Sequence, residues 1–224
     1  MEELSKDFRK YTASHGNVRM SAFDGYASLQ NSIISPTIVE QTQLNGVTID
    51  VFSRLMVDRI IFVGTVIDED VANIVTSQLL YLNSVDKDTD IKLFINSPGG
   101  SVSDGLAIYD VMNWLDCDVA TYAIGSAASM ACVLLSSGTV GKRHAFPSCE
   151  IMMHQVSGLC GGQCADVQIA ARKIEKVQDK LYRILATNTG KSMEQIKADA
   201  DRDKWFTADE AMEYGLIDKV ARKR

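Results

Sequence analysis

Two spacings of apolar positions alternate along this chain. Contiguous branched apolar runs, which suit buried strands, trade places with stretches whose apolar residues recur every three or four positions, which suits helices. Arg59-Ile-Ile-Phe-Val-Gly64 predicts a strand, and Val71, Ile74, Val75, Leu79 and Leu82 follow as a helical stripe that Asp68 can cap. After the polar turn Asp86–Asp90, Ile91–Asn96 predicts the next strand. Ser97-Pro-Gly-Gly-Ser101 interrupts it, and Asp104–Leu115 resumes helix. Val119–Ile124 predicts another buried strand, with Gly125-Ser126 expected to break it and Ala127–Ser137 expected as a short helix. Two strands are expected near Lys142–Phe146 and Glu150–His154. Asp166–Asn188 carries Val167, Ala170, Ala171, Ile174, Val177, Leu181, Ile184 and Leu185 on one face, a helix of roughly 30 Å that Gly190 ends. Ser192…Gln195 and Thr207…Glu210 read as capping boxes for two short final helices.

The alternation of strands and helices places the chain in the α/β class. Residues 1–34 have no such periodicity and are expected to form a loose, removable leader ahead of one domain, 35–224; the pattern settles near Gly46–Asp50.

Composition changes this picture only by exclusion. Hydrophobic residues make up 46% and charged residues 23% of the 224 positions, ordinary proportions for a globular domain. A net charge of −6 without a Lys/Arg cluster argues against nucleic acid as a partner. No apolar run reaches the roughly 18 residues of a membrane span, and no apolar signal core follows the polar start, so a cytoplasmic location is expected. The five cysteines (Cys117, Cys132, Cys149, Cys160 and Cys164) include no CxxC pair, and are expected to be reduced thiols without a metal. Asp199, Asp201, Asp203 and Glu210 fall at calcium-loop positions 1, 3, 5 and 12, but Lys204 stands where the loop needs glycine.

Candidate chemistry gathers around Gly125-Ser-Ala-Ala-Ser-Met130. Ser129 is expected in the first turn of a helix launched off a strand end, where unpaired N–H groups favour developing negative charge. Serine at a helix start is also a common cap. A serine nucleophile needs a base, a group orienting that base, and oxyanion donors. Of the three histidines, His15 is in the leader and His144 follows Lys142-Arg143, whereas His154 ends an apolar run. Asp199, Asp201 and Asp203 are all candidates for the orienting carboxylate. Gly99-Gly100 lacks the Gly-Lys-Ser/Thr of a phosphate loop, but its N–H groups suit an oxyanion hole shared with Met130.

Together Asn96-Ser-Pro-Gly-Gly-Ser-Val102, Gly125-x-Ala-Ala-Ser-Met130, Met152-Met-His-Gln155 and Asp201-Arg-Asp203 resemble the proteolytic subunit of the Clp protease (the ClpP family), from about residue 35 onward. The spacings match too, with 25 residues from Ser129 to His154 and 49 more to Asp203. The resemblance implies a serine endopeptidase with Ser129 as nucleophile, His154 as base and Asp203 as orienter, and with Gly100 and Met130 supplying oxyanion N–H groups. It implies a ClpP/crotonase-like repeated strand–strand–helix fold, stacked into two seven-membered rings, with Asp166–Asn188 as the protruding handle helix.

It further implies unfolded protein substrates delivered by a hexameric AAA+ ATPase, which uses the ATP; this chain itself needs no cofactor. Phe94 and Trp114 match the family's ATPase-docking groove by position. Removal of the leader is implied near Ile33 or Ile34. Two departures stand out: Ser126 where Gln is common, and Val156 and Leu159 within the usual His-Gln-Pro-x-Gly-Gly segment. Two other readings are a catalytically silent subunit of a mixed ring, and an acyl-CoA enzyme of the related crotonase fold. The second leaves Ser129 and His154 without roles.

Overall fold

The structure, a computed structural model, describes residues 37–41, 46–158 and 160–223. The expected leader, residues 1–34, and His15 lie outside them. Contacts divide the chain into two units, 1–51 and 52–224. In the first, β1 (Thr37–Gln41) and β2 (Gly46–Asp50) pair as an antiparallel hairpin, with Thr37 opposite Asp50.

The second unit is an α/β domain in which strands and helices alternate as the apolar spacing predicts. After α1 (Val51–Val57) come β3 (Ile60–Val63), α2 (Glu69–Val85), β4 (Ile91–Ser97), α3 (Val102–Trp114) and β5 (Val119–Ala128). Then follow α4 (Met130–Ser136), β6 (Arg143–Ala145), β7 (Glu150–Met153) and the long α5 (Cys164–Thr189). The chain ends with α6 (Met193–Asp199), β8 (Lys204–Phe206), α7 (Ala208–Tyr214) and β9 (Lys219–Val220). Strands β3-β4-β5-β6-β9 lie side by side and parallel. The far end of β5 turns to a different neighbour: Ser126–Ala128 pair with Glu150–Met152 of β7, which in turn pairs antiparallel with β8.

Strand β4 explains the layering. Ile91, Leu93 and Ile95 are buried with Val75 and Leu79 of α2 and Ile108 of α3, while Lys92 and Asn96 face out. Between the latter two, Phe94 stacks on Phe62 and Tyr122, and Tyr122 on His144, with ring centroids 5.3, 4.8 and 4.5 Å apart. These four side chains are cross-strand neighbours of one register, a ladder on the face away from the core.

One buried cation fastens the helices. Arg143 bonds Asp218 through two nitrogens and donates to the carbonyls of Ser136, Asn188 and Gly215, where α4, α5 and α7 end. A guanidinium there answers both the unpaired C-terminal carbonyls and their negative dipole ends. In α5, Leu181, Tyr182, Ile184 and Leu185 are buried, but nothing from Cys164 to Lys180 is. At about 1.5 Å per residue its 26 residues span roughly 39 Å, somewhat longer than the pattern predicts.

Three expectations need correction. Gly125-Ser126 does not end the strand. With Gly125 at φ 62°, the register shifts between Ile95 and Ser97, and the Ser126 N–H donates to Asn96 Oδ1, so β5 continues through a bulge to Ala128. The helix accordingly starts at Met130, not Ala127, and Ser129 precedes its first turn. Of the two capping boxes only Thr207/Glu210 is reciprocal; at Ser192 the side chain accepts from the Gln195 N–H alone. Among the described residues, no helix is long and apolar enough to cross a membrane.

Candidate active site

Ser129 stands at the joint between β5 and α4. Its backbone has φ 56° and ψ −122°, a combination that non-glycine residues rarely adopt. The joint holds because its N–H donates to Met152 O at 2.8 Å, continuing the β5–β7 ladder one residue past Ala128. Its hydroxyl does not cap α4. It lies 2.8 Å from His154 Nε2 instead.

Sheet register brings the base to its partner. Strands β7 and β8 pair Ile151 with Phe206, Met152 with Trp205 and Met153 with Lys204. One step further along this antiparallel ladder, His154 falls opposite Asp203. Their side chains meet there, with His154 Nδ1 and Asp203 Oδ1 3.2 Å apart. A carboxylate at Nδ1 selects the tautomer whose Nδ1–H donates to it, leaving the Nε2 lone pair to accept the Ser129 hydroxyl proton.

The three-way choice of carboxylate is thereby narrowed by geometry. Asp201 is exposed, with Arg202 Nε 3.9 Å away. Asp199 is engaged elsewhere, accepting from Lys204 Nζ, from Gln195 Nε2 and from the Tyr214 hydroxyl. Burial works against its charge, but these donors hold its carboxyl below the usual range. No group of three His, Cys, Asp or Glu side chains suited to a metal occurs among the described residues. Two of the thiols are unsuited to nucleophilic work, since burial pushes Cys132 up to about 12 and Cys149 to about 11. All five cysteines are free, with only Cys160 and Cys164 exposed.

Gly99-Gly100 lies against this joint, as close as two backbones can come. A Cβ on Gly99, at φ 93°, would fall 2.6 Å from Ala128 O and 2.7 Å from Ser129 Cβ. One on Gly100, at φ 152°, would fall 2.2 Å from Ile67 O. The Ile67 N–H donates to Gly99 O and the Ser101 N–H to Ile67 O, so the loop is clamped on both sides. Met130, first in α4, has no intrahelical acceptor for its N–H. A small cavity of about 60 Å³ opens beside these groups, with Gly100, Ser129, Met130 and His154 in its wall.

Apolar side chains from α3, α4 and α5 close the cavity: Val102, Val133, Leu181 and Leu185. Leu181 and Leu185 belong to the stripe legible in the sequence, but the stripe marks them only as buried. Their place beside Ser129 depends on how α5 packs on α4. Tyr182 also escapes the sequence reading, because it carries no motif of its own, and Gln155 stands there only as part of the Met152–Gln155 motif, without a role. The docking candidates sit apart from this cleft. Phe94 is half-buried in the aromatic ladder, and Trp114, at the end of α3, is 70% exposed.

The chain is also similar to known proteins. The Clp protease family model matches residues 42–224. A relative from Porphyromonas gingivalis named ATP-dependent Clp protease proteolytic subunit is 52% identical over 217 residues, 97% of this chain and 98% of its own. Relatives of the same name from Bacteroides fragilis and Bacteroides thetaiotaomicron are 50% and 49% identical, each over 97% of this chain and 99% of its own.

Proposed function

Given that the chain belongs to the Clp protease family, we propose that it cuts peptide bonds as a serine endopeptidase through Ser129, His154 and Asp203. The observation that carries this reading is the relay itself, Ser129 Oγ 2.8 Å from His154 Nε2 and His154 Nδ1 3.2 Å from Asp203 Oδ1.

The steps follow from these positions. Ser129 Oγ attacks the scissile carbonyl carbon while His154 Nε2 takes its proton. The imidazolium so formed is stabilised by Asp203 through Nδ1–H. Negative charge on the carbonyl oxygen is met by the Met130 and Gly100 N–H groups, fixed dipoles that need no reorganisation as the charge develops. When the tetrahedral intermediate collapses, His154 gives its proton to the departing amine. Water, deprotonated by the same imidazole, then attacks the ester and frees Ser129. The rare backbone at Ser129 is what lets Oγ point at the base instead of back at its own helix.

The function of a proteolytic subunit extends beyond one chain. The large apolar side chains exposed on α2, Leu80, Tyr81 and Val85, support self-association, which we assign to two stacked heptameric rings. Unfolded proteins would be the substrates, fed by a hexameric AAA+ ATPase that consumes the ATP. The aromatic ladder, on the face away from the core, and the exposed Trp114 at the end of α3 support docking. The site of action is the cytoplasm, and the leader is removed on assembly.

Replacing Ser129 with Ala and following hydrolysis of a fluorogenic peptide tests the reading. Loss on the order of 10⁶ in rate is expected, because the relay members act as a unit. Hydrolysis that survives Ser129→Ala would refute it.

A further inference from the structure

Asp203 presents a physical problem. Its side chain is 61% exposed, and a contact so open to water is too weak to hold a carboxylate on one atom of an imidazole by itself. Its position must therefore come from the backbone that carries it. That backbone is the short turn 200–203 between α6 and β8.

The downstream end of the turn is fixed twice. Lys204 is paired with Met153 in the β7–β8 ladder, and its Nζ is held by Asp199, the last residue of α6. Upstream, Ala200 is buried and its N–H donates to Ile196 O; between it and Asp203, among the described residues, the turn's backbone takes one hydrogen bond from outside. Gln155 Nε2 donates to the carbonyl oxygen of Asp201 at 2.8 Å. Gln155 follows the base directly in sequence, and Asp201 lies two residues before the orienter. One amide thus ties the segment carrying His154 to the segment carrying Asp203, just beyond the last ladder pair.

We propose that Gln155 is a positioning residue of this peptidase: by donating to the Asp201 carbonyl it holds the Asp203 turn against His154. The inference rests on the serine-peptidase reading above, and goes beyond it in giving a role to a side chain that acts on the reacting atoms only through Asp203. Because the role runs through Asp203, the cost of losing Gln155 falls on kcat rather than on KM. It falls only where Asp203 is still a carboxylate worth positioning.

Gln155→Met removes the donor and keeps the length of the side chain. A neutral hydrogen bond is worth about 1 kcal/mol net, so kcat on a small peptide should fall roughly three- to tenfold with KM unchanged. Phosphonylation of Ser129 by a fluorophosphonate should slow in parallel, while the native mass and thermal midpoint stay at wild-type values. In an Asp203→Asn background the same substitution should change kcat less than twofold. Wild-type kcat in Gln155→Met would overturn the proposal, as would an equal fold-loss in both backgrounds. Ser129→Ala assayed alongside separates the two claims. If it stays active the serine-peptidase reading has failed; if it is dead while Gln155→Met is normal, only the positioning role has failed.

Discussion

At Gly99 a methyl group has nowhere to go, and its positive φ would strain any other residue. Gly99→Ala must push the loop off the Ala128–Ser129 backbone, displacing the neighbouring oxyanion donor. We expect a loss of roughly 1–3 kcal/mol in stability and a fall in kcat larger than any rise in KM. Denaturant unfolding and steady-state kinetics on one preparation check both. A second residue-scale expectation separates the acidic neighbours. Asp203→Asn should lower kcat by about 10³–10⁴, since an amide can present its N–H to Nδ1 and favour the wrong tautomer. Asp201→Asn leaves its backbone carbonyl in place and should stay within about threefold of wild type, as kcat measurements on the two variants would reveal.

Among the elements, the Arg143–Asp218 clasp carries the clearest consequence. Asp218 is held below the usual carboxylate range: burial opposes its charge, but the Arg143 guanidinium and two backbone N–H groups outweigh it. Because its folded pKa lies below the ordinary 3.8, its ionisation contributes stability that is complete above that value. The contribution is lost as pH falls through the lower, folded value. Asp199 adds to the same acid-side loss. Acid unfolding of Asp218→Asn should therefore be shallower below pH 4 than that of wild type, from a lower starting stability at pH 7. Tryptophan fluorescence against pH reads this directly.

Elements also show where sequence patterns inform and where they stop. Core helices and parallel strands were legible because burial imposes a period: the Val71–Leu82 stripe and the Ile91–Asn96 run are found where the apolar spacing puts them. Strands β8 and β9, with three and two residues, and α1 with seven are too short for a period to register. The joint at Ser129 was misplaced because Gly125 reads locally as a break, and only pairing with β4 and β7 makes it a bulge. In the relay, Ser129 and His154 stood out as residue types at element ends. Choosing among Asp199, Asp201 and Asp203 by chemistry alone was impossible, since the β7–β8 register that selects Asp203 is a tertiary fact.

For the whole molecule, parallel sheets usually have both faces covered, and on the face bearing Phe62, Phe94, Tyr122 and His144 the described residues place Phe52 of α1 edge-on against Phe62. Trp114→Ala should leave small-peptide cleavage unchanged and weaken ATPase-dependent degradation of a folded protein; equal loss of both activities would mean a folding defect instead. The chemistry at Ser129 is the central claim. It is tested most directly by treating the purified protein with a fluorophosphonate and locating the adduct by peptide mass mapping. A single phosphonyl group on Ser129, absent from Ser129→Ala and formed far more slowly in His154→Ala, is the predicted result. A fully active enzyme that stays unlabelled, or a label on any other residue, would contradict it.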